Sequence, residues 1–112
     1  MRHWAEDVAR RHLQRRGWRL LDANAVVPGG ELDLVMRDGA AVVAVEVRQR
    51  ADDRYGSAAD SLRSAKRRRL RRALRLWVLA HLRGPEPPMR VDAVLIHGDR
   101  ARYRLEHLED VA

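Results

Sequence analysis

The apolar positions of this chain change period several times along its length. From His3 to Arg16 they recur near helical spacing, through Trp4, Ala5, Val8, Ala9, His12 and Leu13, and Gly17 follows as a stop. Trp18 to Val27 reads as a strand whose alternation is blurred by Asp22 and Asn24. Pro28-Gly29-Gly30 is a turn. Two apolar-alternating runs, Gly30 to Met36 and Val42 to Arg48, flank Asp38-Gly39, a strong hairpin signal that carries the second strand to about Arg50. Ala51 to Ser57 is a polar connection. Asp60 to Leu82 then reads as one long helix, with Leu62, Ala65, Leu70, Ala73, Leu74, Trp77, Val78 and Leu82 on its apolar side, and Gly84-Pro85-Glu86-Pro87-Pro88 ends it. Val91 to Ile96 is a short apolar strand. Gly98-Asp99 turns into a weak last strand, Arg100 to Leu105, and the polar residues beyond it are expected to fray. No repeat or long linker divides residues 1–112, so a single domain is expected. The order is αβββαβ with room for one more strand. This is an α/β fold in which a three-stranded antiparallel meander is followed by a helical crossover to a strand parallel to a central one, giving a mixed sheet flanked by helices.

The central hairpin is the most informative part. With Asp38 and Gly39 as its loop, Asp33 lies opposite Ala44 and Glu31 opposite Glu46. Side chains alternate faces along a strand. One face collects Leu32, Leu34, Met36, Val43, Val45 and Val47, which is a core face. The other collects Glu31, Asp33, Glu46 and Arg48. Like charges set directly across a strand pair destabilise it. Three carboxylates in one patch therefore call for a positive partner, and a divalent cation is the natural candidate. A solvated strand face carrying no ion is the alternative.

Composition narrows the context. At 112 residues the chain can bury a modest core. It has no cysteine, which removes disulfides and thiolate metal sites. No run of about 18 apolar residues is present, so no membrane span is expected, and the first residues lack the apolar stretch of a secretory signal. A cytoplasmic, soluble protein is the expectation. The net charge of +7 points to a polyanionic partner without separating DNA, RNA and anionic lipid. Of the 23 Lys and Arg residues only Lys66 is lysine. An arginine here can thus stand where a relative would carry lysine.

These residues suggest a chemistry. Phosphodiester hydrolysis needs an oxygen-ligated Mg²⁺ or Mn²⁺, a positioned water and a cation near the developing charge. An acidic residue on one strand and Glu-x-Arg on the next supply the parts. Asp33 and Glu46 would hold the metal. Arg48, two residues from Glu46, points the same way and would contact the scissile phosphate, or else it forms a structural ion pair with Glu46 or Asp33.

The spacing Asp33…Glu46-Val47-Arg48 resembles the PD-(D/E)xK nuclease pattern, whose last residue is usually Lys. More closely, Gly30-Glu31-Leu32-Asp33-Leu34-Val35 and Val45-Glu46-Val47-Arg48-Gln49-Arg50 resemble the YraN-like bacterial family, regarded as endonuclease-like and related in fold to archaeal junction resolvases. Ala5-Glu6, Ala9 and Leu13, Gly17-Trp18 and Asn24, Gly56, Lys66, Leu70 and Ala73, and Arg90-Val91-Asp92 extend the resemblance over most of residues 4 to 96. It implies a restriction-endonuclease-like αβββαβ core. It also implies an acidic site built from Glu6, Glu31, Asp33 and Glu46, a Mg²⁺ or Mn²⁺ cofactor, structured or branched DNA as partner, and a homodimer. The chain departs from the pattern at Arg48. Arginine stays protonated and cannot act as a base, although its fork of donors can hold a phosphate. Lys66, where the family pattern also has Lys, is a candidate replacement. Glu6 has a simpler reading as an acidic residue favoured near a helix N-terminus.

The run Lys66 to Arg75 contains no acid. Like charges at i,i+4 repel, and a polyphosphate ligand would relieve that repulsion by counterion release. Lys66, Arg67, Arg68, Arg71, Arg72 and Arg75, with Arg50 on the hairpin, are thus the expected nucleic-acid contacts, made to the backbone without reading sequence. A catalytically silent nucleic-acid-binding module on the same fold is the alternative to an enzyme. Asp92 reads as a polar residue at a strand edge. His3, His12, His81, His97 and His107 are scattered without metal-ligand spacing, and Trp4, Trp18 and Trp77 read as core residues.

Overall fold

The protein is described by a computed structural model covering residues 3–51 and 64–112. The elements run α1 (Trp4–Arg15), β1 (Arg19–Val27), β2 (Gly30–Asp38), β3 (Ala41–Arg50), α2 (Ser64–His81), β4 (Met89–Gly98) and β5 (Tyr103–Leu108). The expected first turn of the long helix from Asp60, the Ala51–Ser57 connection apart from Ala51, and Gly56 lie outside the described residues.

Helix α1 begins where the His3 Nδ1 accepts from the Ala5 amide at 3.2 Å. It ends in a Schellman motif. Gly17 takes φ 91°, the Trp18 amide donates to the Leu13 carbonyl at 3.1 Å, and the Gly17 amide donates to the Gln14 carbonyl at 3.0 Å. Trp18 and Leu13 then pack together in the core below α1.

The five strands form one sheet in the order β1-β2-β3-β4-β5, with β3 antiparallel to β2 and parallel to β4. The expected meander and crossover are thus present, and the additional strand is β5. Its pairing with β4 places it at Tyr103–Leu108, later than the expected Arg100–Leu105.

The hairpin register differs from the expected one. Asp38 pairs with Ala41, so the two loop residues are Gly39 and Ala40, and Gly39 supplies the positive φ of 59° at the first loop position. This slides the pairing by two residues. Val35, not Asp33, lies opposite Ala44, and Glu31 pairs with Val26 of β1 rather than with Glu46. A two-residue slide preserves the face of every side chain. Leu34, Met36, Val43, Val45 and Val47 accordingly share one core, under α1, with Ala9, Leu13 and Ile96.

Leu32 is the exception. It packs with Ala25, Val35, Ala44 and the buried side of α2 (Leu70, Ala73, Leu74, Trp77, Val78). The strand changes face at Asp33, next to Asn24 of β1, whose φ is +51°. The β2–β3 ladder runs only from Asp38 to Leu34. Before Leu34, β2 parts from β3.

Asp92 is not at an edge. It lies on β4 between β3 and β5 and is fully buried. Its carboxylate accepts from Arg90 Nε at 2.8 Å, His107 Nε2 at 2.9 Å and the Asp110 amide at 2.9 Å. The Val111 amide donates to the Val91 carbonyl at 2.8 Å, and Val111 and Ala112 pack against the core below α2. The last residues are therefore docked, not frayed. Trp18 and Trp77 are buried in the two cores, and Trp4 packs partly buried against the first. No described helix is long and apolar enough to cross a membrane.

Candidate active site

The parting of β2 from β3 creates the candidate site. Val47 on β3 would find its amide partner on β2 if the ladder continued. Instead the Asp33 Oδ2 accepts that amide at 2.9 Å. The buried donor is satisfied, and the Asp33 carboxylate is fixed at the mouth of the wedge. Glu46 projects into the same wedge from β3 with 4% of its side chain exposed. Glu31 stands exposed near the start of β2, and Glu6 comes from the first turn of α1. The Glu6 Oε1 accepts from Asn24 Nδ2 at 2.8 Å. The left-handed backbone at Asn24 thus serves both the strand's change of face and the placement of an acidic group.

A cavity of about 360 Å³ joins these residues. Glu31, Asp33 and Glu46 line it from the sheet and Glu6 from α1, and Arg48, Lys66 and Arg69 add positive charge. Helix α2 passes close to the start of β2, where a Cβ at Gly30 would make ordinary contact with the Ala73 Cβ at 3.7 Å. A second cavity, of about 390 Å³, shares Glu6, Asp33 and Arg48 and continues the cleft past Gln49 and Arg50 toward His3.

Electrostatics within the wedge centre on Glu46. Arg48 Nη2 lies 2.5 Å and Lys66 Nζ 3.4 Å from its Oε1. Burial, and then the neighbouring Asp33 charge, push the Glu46 carboxyl up to about 7, while Arg48 and Lys66 pull against the rise. The structure thus contains the ion-pair alternative for Arg48, within the cavity that also holds the acidic cluster.

The donor chemistry fits a hard divalent cation, because every acidic group in the cavity offers carboxylate oxygens and open space remains for water. The oxygens are not drawn into one coordination shell. Among the described residues, the one trio of possible ligand atoms within 4.8 Å is that of Asp92, His107 and Glu109. That trio is a poor metal site, since Asp92 already accepts from Arg90, His107 and the Asp110 amide.

The expected nucleic-acid contacts divide over α2. Lys66 sits at the carboxylate cavity, and Arg50 at the far end of the cleft. Arg67 donates to the Val111 carbonyl at 3.3 Å. Arg68 is exposed. Arg71, Arg72 and Arg75 lie around a different cavity. Sequence reasoning left out Arg69 and did not see Asn24 as the partner of Glu6. Asn24 had a local signal, since asparagine is depleted in strand interiors.

A family model described as "Uncharacterised protein family UPF0102" matches residues 5–96. The chain belongs to the UPF0102 family. The YraN-like resemblance and the restriction-endonuclease-like superfamily both lead to this family. The chain is 49% identical over 104 residues to a UPF0102 protein of Paracidovorax citrulli, covering 88% of this chain and 75% of that one. It is 42% identical over 105 residues to a UPF0102 protein of Thermus thermophilus, covering 94% and 90%. A UPF0102 protein of Xanthomonas campestris is 44% identical over 108 residues, covering 90% and 88%. The matched segment of this UPF0102 chain contains every residue of the carboxylate cavity.

Proposed function

We propose that this UPF0102 protein binds structured or branched DNA along the cleft and cleaves it as a Mg²⁺- or Mn²⁺-dependent endonuclease. The observation that carries this reading is the buried Glu46 carboxylate. It stands beside Asp33 in a cavity that also gathers Glu6, Glu31 and three cationic side chains. Glu31, Asp33 and Glu46, with Glu6, would hold the ion, which when bound supplies Lewis-acid activation of water and charge neutralisation at the phosphate.

The chain's own groups divide the remaining work. The Val47 amide orients Asp33. Arg48 is permanently protonated and serves as a phosphate clamp, not a base. Lys66 brings an ammonium to Glu46 from α2 and fills the place that Arg48 leaves open. Lys66, Arg69 and Arg50 lie along the cleft where backbone phosphates would enter and leave.

A second reading, a binding module without turnover, is favoured by the 2.5 Å pair between Arg48 and Glu46, which occupies the carboxylate. Incubation with four-way junction, flap, single-strand and duplex DNA, in Mg²⁺, Mn²⁺ or chelator, separates the two. Cleavage that needs metal and is lost in Asp33→Ala supports the enzyme. Salt-sensitive binding with no cleavage of any substrate in either metal supports the silent module.

A further inference from the structure

Helix α2 carries its cations on two flanks. Lys66 and Arg69 line the carboxylate cavity. Arg71, Arg72 and Arg75 lie at a separate cavity of about 380 Å³, between α2 and the start of β4. The two cavities share no wall residue. The second combines a cationic rim with an apolar floor of Leu74, Met89 and Val91.

One of its arginines is already neutralised, because Arg75 Nε lies 3.2 Å from the Glu86 carboxylate. Arg90 also borders the cavity, but its guanidinium is bound to Asp92 and Asp38. Arg71 and Arg72 are exposed and have no carboxylate partner among the described residues. Arg71 stands i,i+4 from both Arg67 and Arg75, and Arg72 stands i,i+4 from Arg68, an arrangement of like charge that repels itself without an anion.

A rim of guanidinium groups over an apolar floor suits a ligand that is anionic at one end and apolar at the other. A nucleotide unit has that form. A bare phosphate would use the rim alone.

We propose that this cavity seats one nucleotide of a second nucleic-acid segment, separate from the one in the carboxylate cleft. Helix α2 is then a ridge between two strands, with exposed Arg68 along its crest and Arg72 at the rim of the second cavity. The inference rests on the nucleic-acid part of the reading above and not on cleavage. It names what makes a branched substrate fit better than a linear one: two phosphate tracks that a branch point can fill together.

The test compares the full chain with an Arg71→Gln, Arg72→Gln double variant, after circular dichroism has shown equal folding. Affinities are measured by fluorescence anisotropy across a salt series for a four-way junction, a linear duplex of equal length and ATP. Mn²⁺ binding is followed in parallel as a readout of the carboxylate cavity. The wild type is expected to prefer the junction. The variant is expected to lose that preference, with a log–log salt slope for the junction smaller by up to about 0.9 per lost phosphate contact. Its Mn²⁺ binding should match the wild type.

Equal losses on junction and duplex would overturn the proposal in favour of one continuous track. ATP binding that vanishes in the variant would make the cavity a free-nucleotide site. Unchanged slopes would leave it without a ligand. Absence of cleavage by a wild type that still prefers the junction would remove the enzyme reading and leave this inference standing. A wild type that binds no DNA would overturn both.

Discussion

Glu46 concentrates the chemistry of this molecule in one side chain. A carboxyl raised from its ordinary 4.5 to about 7 holds its proton more tightly in the folded chain than in the unfolded one. Between those values the folded state binds more protons, so stability falls as pH rises from about 4.5 to about 7 and levels off above. The full effect is roughly 3 kcal/mol. Chemical denaturation across this window should show the decline in the wild type and a flatter profile in Glu46→Gln; equal slopes would remove Glu46 as its source. Protons also compete with a divalent ion for the same oxygens. Mn²⁺ affinity should therefore rise with pH to about 7 and then plateau, and it should disappear in Asp33→Ala, Glu46→Ala. Binding by that variant equal to the wild type would reject the ion site. Arg48 is the other informative residue. Val45 and Val47 are buried and carry the packing around it. Arg48→Lys keeps a cation beside the buried Glu46 carboxylate and should therefore change stability by only about 1 kcal/mol, the scale of one hydrogen bond. It should also raise metal-dependent cleavage, because a mobile ammonium can approach both water and phosphate. Cleavage that collapses instead would identify the guanidinium as the working phosphate clamp.

At the scale of elements, the helices and the central hairpin were legible because their signals are local. The spacing from Trp4 to Leu13, the Gly17 stop and the alternation around Asp38-Gly39 all lie within a few residues of the structure they specify. The alternation also placed Asp33, Glu46 and Arg48 together, and this survived a two-residue error in register because such a slide keeps faces unchanged. The choice between Asp38-Gly39 and Gly39-Ala40 as the loop was not legible, since either places a glycine in the turn. The change of face at Leu32 depends on Asn24 in a neighbouring strand, and no period within β2 announces it. Asp92 was misread for the same reason. In an apolar run a single acid looks like an exposed position, whereas its partners, His107 and the Asp110 amide, are 15 and 18 residues away. Asp92 joins β4, β5 and the final residues, while Arg90 stacks over Trp18 at 5.4 Å. Burial alone would raise the Asp92 carboxyl, but hydrogen bonds from His107, Arg90 and the Asp110 amide outweigh it and hold the group below its ordinary 3.8. Its stabilising contribution is thus complete above that value and lost as pH falls through the lower folded one. Asp92→Asn leaves Arg90 without its buried charge partner and should cost roughly 3–5 kcal/mol at neutral pH. The final residues should also lose amide-exchange protection at Asp110 and Val111. A variant as stable as the wild type would mean that the apolar packing of Val111 and Ala112 holds them unaided.

For the whole molecule the net charge of +7 sets stability against binding. The body measures 45 × 31 × 26 Å, and screening at about 0.1 M salt acts over roughly 10 Å. Cations on opposite sides therefore have little influence on one another, and the repulsion that matters is local to α2. There Arg68 and Arg72 are an exposed i,i+4 pair with no carboxylate partner among the described residues. Each such like-charge pair costs about 0.2–0.5 kcal/mol at low ionic strength. Salt should accordingly raise the thermal midpoint of the wild type. Arg68→Gln with Arg72→Gln should raise the midpoint in low salt, shrink the salt effect and weaken DNA binding. Opposite signs for stability and affinity are the signature of charge kept for a polyanion. If the double variant gains stability and binds DNA as tightly as before, Arg68 and Arg72 are a solvated surface, and the contact assigned to Arg72 at the second cavity fails with them. If it loses stability, these arginines have partners within the fold and the local repulsion argument fails.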